Sequence, residues 1–132
     1  MTVCFTNGCY DILHIGHIRM LKYCHELAEK VVVGIDSDER VKTLKGSQRP
    51  FNTQKDRAEM LLALRYVDHV EIFNSDDELI ELVAKHKPQF MVVGEEYRTK
   101  TVIGGHHAQE GKYFRRIGEY STTNILQDFA TG

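Results

Sequence analysis

Two periods govern the apolar positions of this chain. "VCFTNG" is a short apolar run closed by Asn-Gly, the signature of a strand followed by a turn. From Ile15 to about Glu29, the apolar residues Ile15, Ile18, Leu21, Cys24 and Leu27 recur near the helical period. "KVVVGID" is continuously apolar and β-branched, as expected of a strand buried on both faces. The polar stretch "DSDERVKTLKGSQRPFN" carries Gly and Pro and predicts a long loop with room for one helical turn. Asn52 or Thr53 then caps a helix through "QKDRAEMLLALRY". "HVEIF" predicts a strand. "SDDELIELVAKHK" predicts a helix with acids in its first turn and bases in its last, and Pro88 follows its end. "QFMVVG" reads as another buried strand, "EEYRTKTVIGGHHAQEG" as a loop with a short helix, "KYFRRIG" as the last strand and "STTNILQDF" as a terminal helix.

Strands alternating with helices predict a parallel sheet covered by helices on both faces. The expectation is a Rossmann-like α/β fold with a five-stranded parallel sheet, in a single domain over residues 1–132. In such sheets ligands sit beyond the carboxyl ends of the strands, where the strand order reverses.

The chain has 132 residues, 42% hydrophobic and 27% charged, which is enough for one core and far from a disordered composition. Its formal net charge of -2 argues against nucleic acid or an anionic membrane as a bulk partner. Cys4, Cys9 and Cys24 follow no dense spacing and are expected to be reduced thiols. No leader-like opening and no apolar run of the ~18 residues needed to span a bilayer are evident, so the expected location is the cytoplasm.

The chemistry begins in "TNGCYDILHIGHIRML". His14 and His17 lie at the start of the first helix, at the carboxyl edge of the sheet, and residues three apart share a helical face. Two imidazoles beside the positive end of a helix suit an anion, and Gly16 between them lets a phosphate approach the backbone. The plain alternative is a pair of exposed polar residues at a helix start. Zinc is not expected on Cys9, His14, His17, His106 and His107, whose spacing matches no standard ligand set.

"GCYDILHIGH" closely resembles the G-x-[FY]-D-x-x-H-x-G-H signature of the cytidylyltransferase-like nucleotidyltransferases. The resemblance implies that His14 and His17 bind a triphosphate and donate hydrogen bonds to the transferred phosphate. It places Thr6, Asn7, Gly8, Tyr10, Asp11 and Gly16 around the nucleotide, Asp11 acting through a water or orienting the first helix. "RIGEYSTTNIL" resembles the family's R-x-x-x-x-S-T-T segment. Ser121, Thr122 and Thr123 would hold the outer phosphates at a helix start, with Arg116 neutralising charge and Arg115 on the opposite face. "KTLKGSQRPFNTQKDRAEMLLALRYVD" resembles the middle of the heptose 1-phosphate adenylyltransferase domain. There Lys45, on a glycine-flanked loop, would fold over the triphosphate, with Lys42 a weaker choice and Arg57 reaching the same site. "GEEYR" stands where relatives carry a segment that contacts base or ribose, which implicates Gly94 and Glu96. Glu96 departs from the usual aspartate.

The resemblance runs from Phe5 to about Leu126. It implies transfer of a nucleotidyl group from a nucleoside triphosphate, carried with Mg²⁺, to a small phosphorylated acceptor, by a homodimer. ATP with a heptose 1-phosphate is the favoured pair, and CTP with glycerol 3-phosphate is the alternative. A non-catalytic nucleotide-binding module is the reading of another class. Gly104 to His107 either line the acceptor pocket or form a surface loop.

Overall fold

The computed structural model describes residues 1–115. Five parallel strands form one sheet: β1 (Val3–Gly8), β2 (Lys30–Asp36), β3 (His69–Phe73), β4 (Phe90–Gly94) and β5 (Glu110–Phe114), in the order β3-β2-β1-β4-β5. The order reverses between β1 and β4, so the crevice for a ligand opens beyond their carboxyl ends. The alternation of strand side chains sorts the core into two layers. Cys4, Val31, Val33, Ile35 and Val92 meet α1 (Ile15–Leu27) and α3 (Gln54–Leu62) on one face. Phe5, Val32, Phe73 and Met91 meet α4 (Asp76–His86) on the other. The predicted doubly covered parallel sheet is the observed architecture.

Three element boundaries differ from expectation. The polar stretch after β2 holds a full helix, α2 (Asp38–Lys45), rather than one turn within a loop. Its ends are well made: the Ser37 hydroxyl accepts the Arg40 N–H at 3.1 Å, acids open it and lysines close it, and Gly46 at φ 108° stops it. It buries only Val41, so no apolar stripe announces it. Helix α3, capped by Thr53, ends at Leu62 rather than running on to Tyr66. The chain must return to the sheet there, and Asp68 takes the Val31 N–H on its carboxylate at 2.8 Å. Strand β5 begins at Glu110, ahead of the predicted start at Lys112.

Candidate active site

Beyond the carboxyl ends of β1, β2 and β4 lies a cavity of about 450 Å³. Thr6, Asn7, Gly8 and Tyr10 line it from the end of β1, and His14 and His17 from the start of α1. Asp36 comes from the end of β2, Arg40 and Lys45 from α2, and Gly94 and Glu96 from the end of β4. Predicted residues from three separate stretches, 6–17, 45 and 94–96, therefore share one cavity.

The two histidines are fixed by the helix end itself. His14 is the N-cap of α1, and its Nδ1 accepts the Gly16 N–H at 3.1 Å. His17 Nδ1 accepts the His14 N–H at 3.3 Å. With Nδ1 facing a backbone N–H in each ring, Nε2 is the nitrogen left to act as a donor. The rings stack with centroids 3.7 Å apart and planes 24° apart, and the Tyr10 ring lies 5.0 Å from His17. Tyr10 sits at φ 52°, which folds its ring back over Gly8. A Cβ on Gly8 would meet that ring at 3.1 Å, so the glycine makes room for the tyrosine. The Thr6 hydroxyl, buried in the same wall, has no hydrogen-bond partner among the described residues. At Gly94 a Cβ would collide with the Glu96 carboxylate, which folds over the strand end.

Four of the predicted residues sit differently from the sequence reading. Gly16 gives its N–H to His14 and is not among the residues that line the cavity, whereas both imidazoles are. Arg57 does not reach the cavity. It is fully buried, with Nε donating to Asn52 O at 3.0 Å, Nη1 to Cys9 O at 2.9 Å and Asp36 O at 2.8 Å, and Nη2 to Asp38 Oδ1 at 2.9 Å. One guanidinium thus ties the ends of β1 and β2 to the starts of α2 and α3. Asp11 is buried too, and it accepts the Phe51 N–H at 2.9 Å and the Asn52 N–H at 2.8 Å and pairs with Arg49 at 3.2 Å. It staples the 49–52 loop beneath the β1–α1 turn. Lys45 is the last residue of α2 rather than a loop residue.

Sequence reasoning passed over Asp36, Arg40 and Cys9. Arg40 pairs with Asp36 at 2.8 Å and with Asp76 at 2.6 Å. Burial would lower its pKa, but the hydrogen bonds to Asp76 and Asp36 raise it, so its charge is permanent. Burial pushes the Cys9 thiol up against the opposing pull of Lys45 and Arg57. Asp36 was legible as the polar close of a buried strand. The segment Gly104 to His107 lies away from this cavity: Gly104, at φ 80°, packs on Val83 and Ile80 of α4. His106 lines a separate hollow of about 290 Å³ between β4 and β5. Arg116, Ser121, Thr122 and Thr123 lie outside the described residues.

The comparisons with known proteins agree with this geometry. A family described as cytidylyltransferase-like matches residues 5–127. The bifunctional protein HldE of Campylobacter fetus subsp. fetus is 46% identical over 95% of this chain, and that of Helicobacter hepaticus is 42% identical over 95%. The chain spans about a quarter of those relatives, 27% and 26% of their lengths. Among solved structures, the lipopolysaccharide core biosynthesis protein from Thermoplasma volcanium GSS1 superposes with a TM-score of 0.69 at 23% identity, over 92% of this chain and 99% of that one. At that identity the likeness speaks for the fold. With the sheet order, the placement of the two histidines and the match over nearly the whole length, the chain belongs to the cytidylyltransferase-like family of nucleotidyltransferases.

Proposed function

We propose that residues 1–132 form one domain that transfers an adenylyl group from ATP to a sugar 1-phosphate of the heptose type and releases pyrophosphate. The observation that carries this reading is the pair of imidazoles at the start of α1, each held by a backbone N–H on Nδ1 and each lining the cavity. Their Nε2–H groups are donors fixed before substrate arrives. Donors preorganised toward developing charge are worth more than mobile ones because nothing reorganises during the reaction. An acceptor phosphate oxygen attacks the α-phosphorus, the bond to the bridging oxygen breaks, and pyrophosphate leaves. No side chain becomes covalently linked. Positioning and charge stabilisation carry the reaction.

Lys45, an exposed ammonium at the end of α2, and Arg40 supply positive charge at the cavity wall. Arg116 and the Ser121, Thr122 and Thr123 hydroxyls are assigned to the outer phosphates by family resemblance. Mg²⁺ bound with the triphosphate neutralises phosphate charge, and phosphate oxygens supply most of its ligands. Asp36 and Glu96 are carboxylates of the cavity wall, hard oxygen donors that suit such a cation. The cytoplasm, which holds nucleoside triphosphates, and a homodimer complete the reading, the latter on resemblance alone.

Pyrophosphate release tests it. Each of the four nucleoside triphosphates is offered with Mg²⁺ and either a heptose 1-phosphate or glycerol 3-phosphate. Two mismatched base contacts at ~1–3 kcal/mol each predict a preference for ATP over CTP of about 30-fold to 10⁴-fold. A preference for CTP with glycerol 3-phosphate would move the chain to the cytidylyl branch and keep the transfer chemistry. No pyrophosphate with any pair would favour a binding module.

A further inference from the structure

A second group of histidines gathers at the opposite edge of the sheet. His69 and Glu71 alternate on β3, so both face α4, and His86 is the last residue of that helix. Glu71 Oε2 lies 2.7 Å from His86 Nε2, and Glu71 Oε1 lies 3.5 Å from His69 Nε2. One ligand atom from each residue can be chosen so that all three lie within 4.8 Å of one another. The two rings stand 5.6 Å apart, centroid to centroid. None of the three residues lines the nucleotide cavity.

We propose that His69, Glu71 and His86 bind one divalent transition-metal cation of the zinc class, with water completing the coordination, and that the ion clasps edge strand β3 to the end of α4. Bonds of ~2.0–2.1 Å in a tetrahedral site set ligand atoms about 3.3 Å apart. The 2.7 and 3.5 Å separations run to different oxygens of Glu71 and the full set lies within 4.8 Å, so the ion needs the His86–Glu71 contact to open slightly and the wider pairs to close around it. Two imidazoles and one carboxylate suit zinc, whereas Mg²⁺ and Ca²⁺ prefer oxygen throughout. The site is also pre-shaped. His86 is 10% exposed and packs beside the Phe5 ring, while His69 at 43% leaves an entry path. Lys85 Nζ, 3.0 Å from Glu71 Oε2, is the competing cation, and with its side chain 65% exposed it is able to swing into water.

The test uses the full chain after chelator treatment, titrated with Zn²⁺ against a chromophoric chelator, with Co²⁺ as the spectroscopic probe. One tight equivalent is expected, with Co²⁺ absorption of a nitrogen–oxygen site and no thiolate charge-transfer band. His69→Ala changes a partly exposed side chain and should fold. It should weaken zinc by at least about 100-fold, since even outer-shell partners of metal sites cost 10–100-fold. Glu71→Gln should act in the same direction. Lys85→Met, which removes the competing charge, should tighten binding several-fold. Saturating zinc should raise the unfolding midpoint of the unaltered chain by about 5 °C and leave His69→Ala unmoved. Equal zinc affinity in the unaltered chain and His69→Ala, a thiolate band, or no tight equivalent would each overturn the proposal.

Discussion

Lys45 and Arg57 stand in one polar stretch and carry the same charge, yet the fold gives them opposite surroundings. Lys45 closes α2 with its side chain exposed at the rim of the cavity. Arg57 is wholly buried behind the cavity wall, with three carbonyl oxygens and one carboxylate around its guanidinium. The difference follows from geometry. Arginine's planar fork reaches several fixed acceptors at once, so it is able to join four chain segments where an ammonium cannot. A buttress of this kind shapes the cradle without touching what it holds. Asp11 works alike from the other side of the same turn, by accepting two backbone N–H groups.

The sharpest way to break the comparison is Arg57→Ala. It strips the Cys9, Asp36 and Asn52 carbonyls of their guanidinium donor at once and leaves Asp38, 32% exposed, with the Gln54 N–H, and each buried acceptor left unpaired costs ~1–3 kcal/mol. Urea denaturation should show that loss, and Arg57→Lys should recover only part of it. A variant as stable as the parent would remove the buttress role.

His17→Ala comes next, and here the loss should fall on turnover. Removing one preorganised donor costs roughly 10²–10³-fold in kcat. Stability should drop by only about 1 kcal/mol, because the imidazole also accepts the His14 N–H at the helix start. Unchanged turnover at saturating substrates would take His17 out of the chemistry.

Lys45→Ala should divide the same way with a smaller amplitude. Nucleotide KM is expected to rise by about tenfold, equivalent to ~1.4 kcal/mol, with stability unchanged within about 0.5 kcal/mol. A stability loss comparable to that of Arg57→Ala would erase the contrast between the two cations.

The smallest effect is a rate of labelling. The Cys9 thiol has a raised pKa, so less thiolate is present at pH 8 than in a free cysteine, and iodoacetamide should modify it more slowly. Nucleotide should slow it further, since Cys9 lines the cavity. The rate should climb steadily above pH 9, and a fast reaction at pH 7 would show that the thiol is not shielded by burial.

Much of this protein was legible in its order of residues. Continuous β-branched strands alternating with capped helices determined a parallel sheet, because period and end signals are local properties. The motif at Gly8 to His17 also specified which helix start would face the crevice, since a strand-to-helix turn at the carboxyl edge leaves few choices. Helix α2 escaped notice because it rests on capping and charge at its ends, with a single buried valine. Tertiary structure alone decided which charges line the cavity and which are buried behind it. Arg57, Asp11 and Lys45 look equally solvent-facing in sequence, and burial depends on which distant carbonyls, amides and carboxylates the sheet brings within about 3 Å of each. The meeting of His69, Glu71 and His86 has the same origin: β3 and α4 are separate elements, and only the packing of one on the other brings their ligand atoms together.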